Sequence, residues 1–137
     1  KQYYAVIDTN VLVSALLATL KDKDFPFEDS VFYFDGEIIP IFNDEIITDY
    51  REVLHRPKFH FPDEFIEQVL KAISTFGIHS ERIISEDVCN DPKDVVFYEV
   101  TLSVEEAYLV TGNIKHFLVK PFVVTPAQMI EILLSKQ

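Results

Sequence analysis

The chain has 137 residues, 48% of them hydrophobic, and its 12 basic and 23 acidic side chains give a formal net charge of −11. That length suits one domain spanning residues 1–137 with a sizeable core, and the apolar content excludes a disordered chain. Three glycines exclude collagen-like sequence, the single Cys89 excludes a disulfide framework, and no apolar run nears the ~18 residues of a membrane span.

In chain order, Tyr3 to Ile7 is a β-rich apolar run that stops at Asp8, and Val11 to Ala18 reads as an apolar helix. Thr19 to Asp29 reads as a polar loop leading to a short helix near Val31 to Phe34, ended by Gly36, before a strand at Ile38 to Phe42. Asn43 is placed to cap a helix that carries Asp44 and Glu45 in its first turn and runs to about Arg56, where Pro57 stops it. After Pro62, Phe65, Ile66, Val69, Leu70, Ile73 and Phe76 form one helical stripe, with Gly77 as its C′ residue. Ile78 to Ile84 reads as a strand or an extended connection. Asp91-Pro92 opens a helix from Asp94 to about Thr101, and Ala107 to Thr111 is a strand ending at Gly112-Asn113. Phe122 to Val124 is a last strand, and Thr125-Pro126-Ala127-Gln128 has the capping-box pattern of a final helix to about Leu134.

Strands alternating with helices predict an α/β fold with a parallel sheet covered on both faces, whose ligands sit at the carboxyl ends of the strands. The side chains at those ends are carboxylates and an amide. Asp8 follows the first strand, Asp49 sits on the border of the apolar stripe of its helix, Asp91 and Asp94 open another helix, and Asn113 follows the strand at 107–111. Each has an ordinary explanation as a cap or a solvated face. Together they point to a cation, because clustered carboxylates repel without one, and hard oxygen donors favour Mg²⁺ or Mn²⁺ over Zn²⁺.

Five segments in order carry a family resemblance. They are Val6-Ile7-Asp8-Thr9-Asn10 with the apolar residues after it, Ile46 to Phe59 around Asp49, Asp91-Pro92-Lys93-Asp94-Val95-Val96-Phe97, Tyr108 to Phe117 around Thr111-Gly112-Asn113, and Val124-Thr125-Pro126. The sequence resembles the PIN-domain family over nearly its whole length, and within it the branch of toxin components of bacterial toxin–antitoxin pairs. The resemblance implies a three-layer α/β/α fold and a Mg²⁺- or Mn²⁺-dependent ribonuclease. It implies metal binding by Asp8, Asp49 and Asp94, with Asp49 standing where the family usually has Glu. Asn113 stands where many members have a fourth Asp, which removes one charge from the catalytic set. Asn10 and Thr111 match accessory positions that orient ligands or water.

Arg56, Lys58 and Lys115 are the basic residues best placed to hold an RNA backbone, with Phe59 or Phe61 as base-stacking candidates, though a helix end and a core explain the same residues. The expected partners are an RNA substrate, a cognate antitoxin protein and further copies of the chain, with no membrane. No leader of basic then apolar residues opens the sequence, and with one cysteine the expected setting is reducing and cytoplasmic. The acidic balance argues against a general nucleic-acid clamp but not against an enzyme that grips phosphate through a metal. A PIN-fold module that binds RNA or a protein without cutting is the competing reading, motivated by Asn113 and the charge.

Overall fold

A computed structural model of the chain describes residues 2–21, 37–87, 91–117 and 119–135. The elements are β1 (Tyr3–Ile7), α1 (Thr9–Lys21), β2 (Ile38–Phe42), α2 (Asp44–Leu54), α3 (Asp63–Phe76), β3 (Ile78–His79), α4 (Pro92–Leu102), β4 (Tyr108–Val110), β5 (Val123–Val124) and α5 (Pro126–Ser135). Single 3-10 turns at Pro57–Phe59 and Ile114–His116 lie between them. The expected short helix at 31–34 and Cys89 fall outside the described residues. No helix among the described residues is long and apolar enough to cross a membrane.

The strands form one parallel sheet in the order β3-β2-β1-β4-β5. Successive side chains of a strand point to opposite faces, so a strand covered on both must be apolar throughout. In β1, Tyr3 and Ala5 face Val110, Val124, Met129 and Leu133, the last two on α5. Val6 faces the larger cluster, built with Leu12 and Leu16 of α1, Tyr50 and Leu54 of α2, Ile66 of α3 and Phe97 of α4. The result is three layers, α/β/α.

Several boundaries differ from the sequence reading for local reasons. α1 continues past Ala18 to Lys21. α2 stops at Leu54 rather than Arg56, because the residue before a proline is pushed into the extended region, where Arg56 lies at φ −61°, ψ 130°. Beyond β3 the chain leaves the sheet and runs as an extended connection pinned to α4. Tyr98 Oη donates to Asp87 at 2.6 Å, and Glu99 accepts from Arg82 Nε at 2.9 Å and from the Ser85 N–H at 2.6 Å.

Gly77 ends α3 in an extended conformation at φ −92°, ψ −174°, and not as the left-handed C′ residue the sequence suggests. Its requirement for glycine is spatial: a Cβ there would stand 2.5 Å from the carbonyl oxygens of both Ile73 and Pro40. Two backbone atoms cannot both yield, so Gly77→Ala is expected to destabilise the fold by ~1–3 kcal/mol, read as a lower urea midpoint at unchanged slope.

Candidate active site

β1 lies between β2 and β4, so strand order reverses there, and it is at the carboxyl ends beside such a reversal that parallel α/β sheets bind their ligands. Asp8 stands at that point. Its N–H donates to Val110 O of β4 at 2.9 Å, and the Thr111 hydroxyl, just past β4, donates to Asp8 Oδ2 at 2.8 Å. The Asn113 N–H in turn donates to Thr111 Oγ1 at 3.1 Å. One hydroxyl therefore links the ends of β1 and β4. Asp8 is only 8% exposed.

Asp49 arrives from α2. Asn43 caps that helix, its Oδ1 accepting from Ile46 N at 2.8 Å, and Asp44 and Glu45 occupy the first turn, where the helix dipole favours negative charge. Tyr50 Oη donates to Ile7 O, the last carbonyl of β1, and Thr9 Oγ1 donates to Asp49 Oδ2. These two bonds lay α2 across the end of β1 and bring Asp49 beside Asp8. Burial, then the charges of Asp8 and Asp49, push the Tyr50 phenol far above its ordinary range, so it remains a donor.

Asp94 arrives from α4. Asp91 is the N-cap, accepting from Lys93 N at 2.9 Å, Pro92 occupies the first helical position, and Asp94 follows in the first turn. Its Oδ2 is buried and makes no hydrogen bond; His116 Nδ1, at 3.6 Å, is close enough for charge but not for a bond.

The three carboxylates feel one another. Burial holds the Asp8 carboxyl above the usual carboxylate range against the Thr111 hydroxyl and the Thr9 N–H, and the charge of Asp49 adds to the rise. Burial raises Asp94 as well, joined by Asp8, Asp91 and Asp49 and opposed by His116. Among the described residues, no group of three or more His, Cys, Asp and Glu side chains could, as it stands, hold a metal ion. The donor chemistry still fits a hard cation. The oxygens are carboxylates under mutual repulsion, one has no partner, and Mg²⁺ commonly takes only one or two carboxylates and keeps several waters.

Asn113 does not use its side chain to cap the turn after it and is exposed beside Thr111. Asn10, at the second position of α1, is exposed, and with Asn113 it lines a mainly apolar cavity of about 510 Å³ between α1 and α5. Lys115 is exposed two residues past Asn113. Arg56 and Lys58 lie beyond the end of α2, which carries the chain roughly 8 Å along its axis from Asp49 to Leu54. Phe61 is buried and Phe59 stacks on it with ring centroids 5.8 Å apart, so Phe61 belongs to the core. The side chain of Lys93 stands beside Asp49, Nζ to Oδ1 3.7 Å. Thr9, Lys93 and His116 complete the surroundings of the acids, and neither Thr9 nor Lys93 carries a separate sequence signal.

Thr111→Val removes the donor to Asp8 and leaves the Asn113 N–H without its acceptor. It is expected to lower stability by ~1–2 kcal/mol near neutral pH. The loss should shrink in acid, where Asp8, raised by burial, takes up a proton and no longer depends on that donor. Urea denaturation at neutral and at acid pH checks this.

No curated protein and no solved structure is similar enough to this chain to count as a match. The sequence model of one family, described as PIN domain, matches residues 4–115, a span that holds Asp8, Asp49, Asp94 and Asn113, and the chain belongs to the PIN-domain family.

Proposed function

We propose that the protein is a Mg²⁺- or Mn²⁺-dependent endoribonuclease that holds its cation with Asp8, Asp49 and Asp94, and that it acts as the toxin of a toxin–antitoxin pair. PIN domains are generally RNA-cleaving nucleases. The observation that carries the proposal is the meeting of three mutually repelling carboxylates at the strand-order reversal, with Asp94 Oδ2 buried and without a hydrogen bond.

When bound, such a cation lowers the pKa of water and offsets charge on the phosphodiester. The protein's own groups do the rest. Thr111 and Thr9 fix the carboxylates of Asp8 and Asp49 through their hydroxyls, as partners of metal ligands commonly do. Asn113 contributes a dipole without charge and assists. Tyr50 keeps α2 in register over β1. Lys115, Arg56 and Lys58 supply positive charge for RNA phosphates, which position the strand without reading its sequence. Its partners are then an RNA, a cognate antitoxin protein and further copies of the chain, in the cytoplasm.

Asn113 and the net charge of −11 favour the second reading, a PIN-fold module that binds without cutting. Single-turnover cleavage of a single-stranded RNA across a Mn²⁺ titration, in wild type, Asn113→Asp and Asn113→Ala, separates the two. A nuclease cuts as wild type, stops with EDTA, and is equal or faster with Asp at 113. No metal-dependent cleavage by wild type, with Asn113→Asp gaining it, identifies the binding module.

A further inference from the structure

Lys93 is in a position that its own helix does not favour. It is the second residue of α4, one before Asp94, and a cation in the first turn opposes the helix dipole. Its ammonium is 3.7 Å from Asp49 Oδ1, but the lysine side chain is 62% exposed, and such a pair adds little stability. Neither helix formation nor the ion pair accounts for a lysine there.

The surroundings suggest another use. Lys93 lines a groove of about 360 Å³ beside Asp49 together with Asp44, Glu45 and Glu52, and it is the one basic residue among the described residues lining it. A phosphodiester reaching the acids through this groove meets four carboxylates and one ammonium. The four-carbon stem of lysine lets that ammonium move between neighbouring anions. A divalent cation held at Asp49 would compete with the ammonium for the same carboxylate, and would so free the lysine.

We propose that Lys93 is a phosphate-binding residue of the cleavage site, held on Asp49 in the cation-free protein and released to an RNA phosphate when a cation takes Asp49. The proposal rests on the nuclease reading above and specifies how so acidic a surface accepts a polyanion.

The test uses the full chain as wild type, Lys93→Gln and Lys93→Arg. Mn²⁺ alone, titrated by calorimetry, should bind several-fold more tightly to Lys93→Gln, which lacks the competing ammonium, and as wild type to Lys93→Arg. Binding of a cleavage-resistant 2′-O-methyl single-stranded RNA with Mn²⁺ present is then followed against KCl. Each phosphate contact contributes ~0.7 to the slope of log affinity against log salt for single strands, so Lys93→Gln should flatten that slope by ~0.7 and Lys93→Arg should restore it. A lysine with only a structural role would move neither quantity. An unchanged slope in Lys93→Gln overturns the phosphate contact, and an unchanged Mn²⁺ affinity overturns the competition for Asp49. If wild type cleaves RNA only with metal and Lys93→Gln is unaltered, this assignment fails and the nuclease reading stands. If wild type cleaves equally in EDTA, or neither binds nor cleaves RNA, the nuclease reading fails and takes this proposal with it.

Discussion

Asp8→Asn is expected to remove metal-dependent RNA cleavage while making the cation-free protein more stable. The first effect follows from the loss of a carboxylate at the point where the end of β1 meets Thr111. Single-turnover rates should fall about 10³-fold, equivalent to roughly 4 kcal/mol of barrier. The second follows from the electrostatics of the cluster. Burial, with Asp49 adding to it, holds the Asp8 carboxyl above the usual range despite the Thr111 and Thr9 donors. A carboxyl raised on folding takes up protons as the chain folds, so native stability declines as pH climbs from the unfolded value through the folded one. At neutral pH the Asp8 charge therefore opposes folding, and an amide of the same shape removes that opposition. Melting in EDTA should place Asp8→Asn above wild type, by about 4 °C for each kcal/mol relieved, and the gap should close as the pH falls toward ~4. In Mn²⁺ the gap should narrow or reverse, because wild type gains more stability from binding. A variant that melts below wild type in EDTA would show that the acids do not strain one another.

Glu99→Ala should give the largest loss of stability. Glu99 is buried, 2% exposed, in the middle of α4, and burial alone would raise its carboxyl. The Ser85 N–H and the Arg82 guanidinium outweigh that and hold it below its ordinary value. Arg82 also reaches Glu45 at 3.1 Å, so one guanidinium joins the connection after β3 to both α2 and α4. Truncation leaves the Ser85 N–H without its acceptor and the Arg82 guanidinium with Glu45 alone. The expected loss is ~3 kcal/mol, or about 10 °C in Tm, with Glu99→Gln losing less. Because the folded value is depressed, this stability is present above the ordinary glutamate range and disappears as the pH falls through the folded value. Wild type and Glu99→Ala should therefore converge in acid, and a constant gap across the pH range would contradict the assignment.

The elements legible in the sequence are those with local causes. Asp8 at the end of an apolar run, Asn43 as a cap, Asp91-Pro92 before a helix and the stripe of α3 all depend on neighbours within a few residues, and the structure has each of them, except that Phe76, expected on that stripe, is 62% exposed at the helix end. The features that were not legible depend on contacts across the fold. Thr9 meets Asp49 across 40 residues, and Arg82 meets Glu99 across 17. Gly77 reads as a helix stop, whereas its real constraint is the Pro40 carbonyl on a neighbouring strand. One signal was there to be read: Glu99 interrupts Val95-Val96-Phe97-Tyr98 and Val100, and a carboxylate alone in an apolar run is rarely buried without a partner. The four candidate residues Asp8, Asp49, Asp94 and Asn113 were named from motif positions. The meeting of Asp49 with Asp8 required Tyr50 to hold α2 across β1, which no periodicity reveals.

Mn²⁺ titration calorimetry on cation-free wild type and Asp8→Asn addresses the central claim, that these carboxylates form a cation site. The account predicts binding to wild type and an affinity at least ~10-fold weaker in Asp8→Asn, with Asp94→Asn following it. Equal Mn²⁺ affinity in wild type and Asp8→Asn would contradict it.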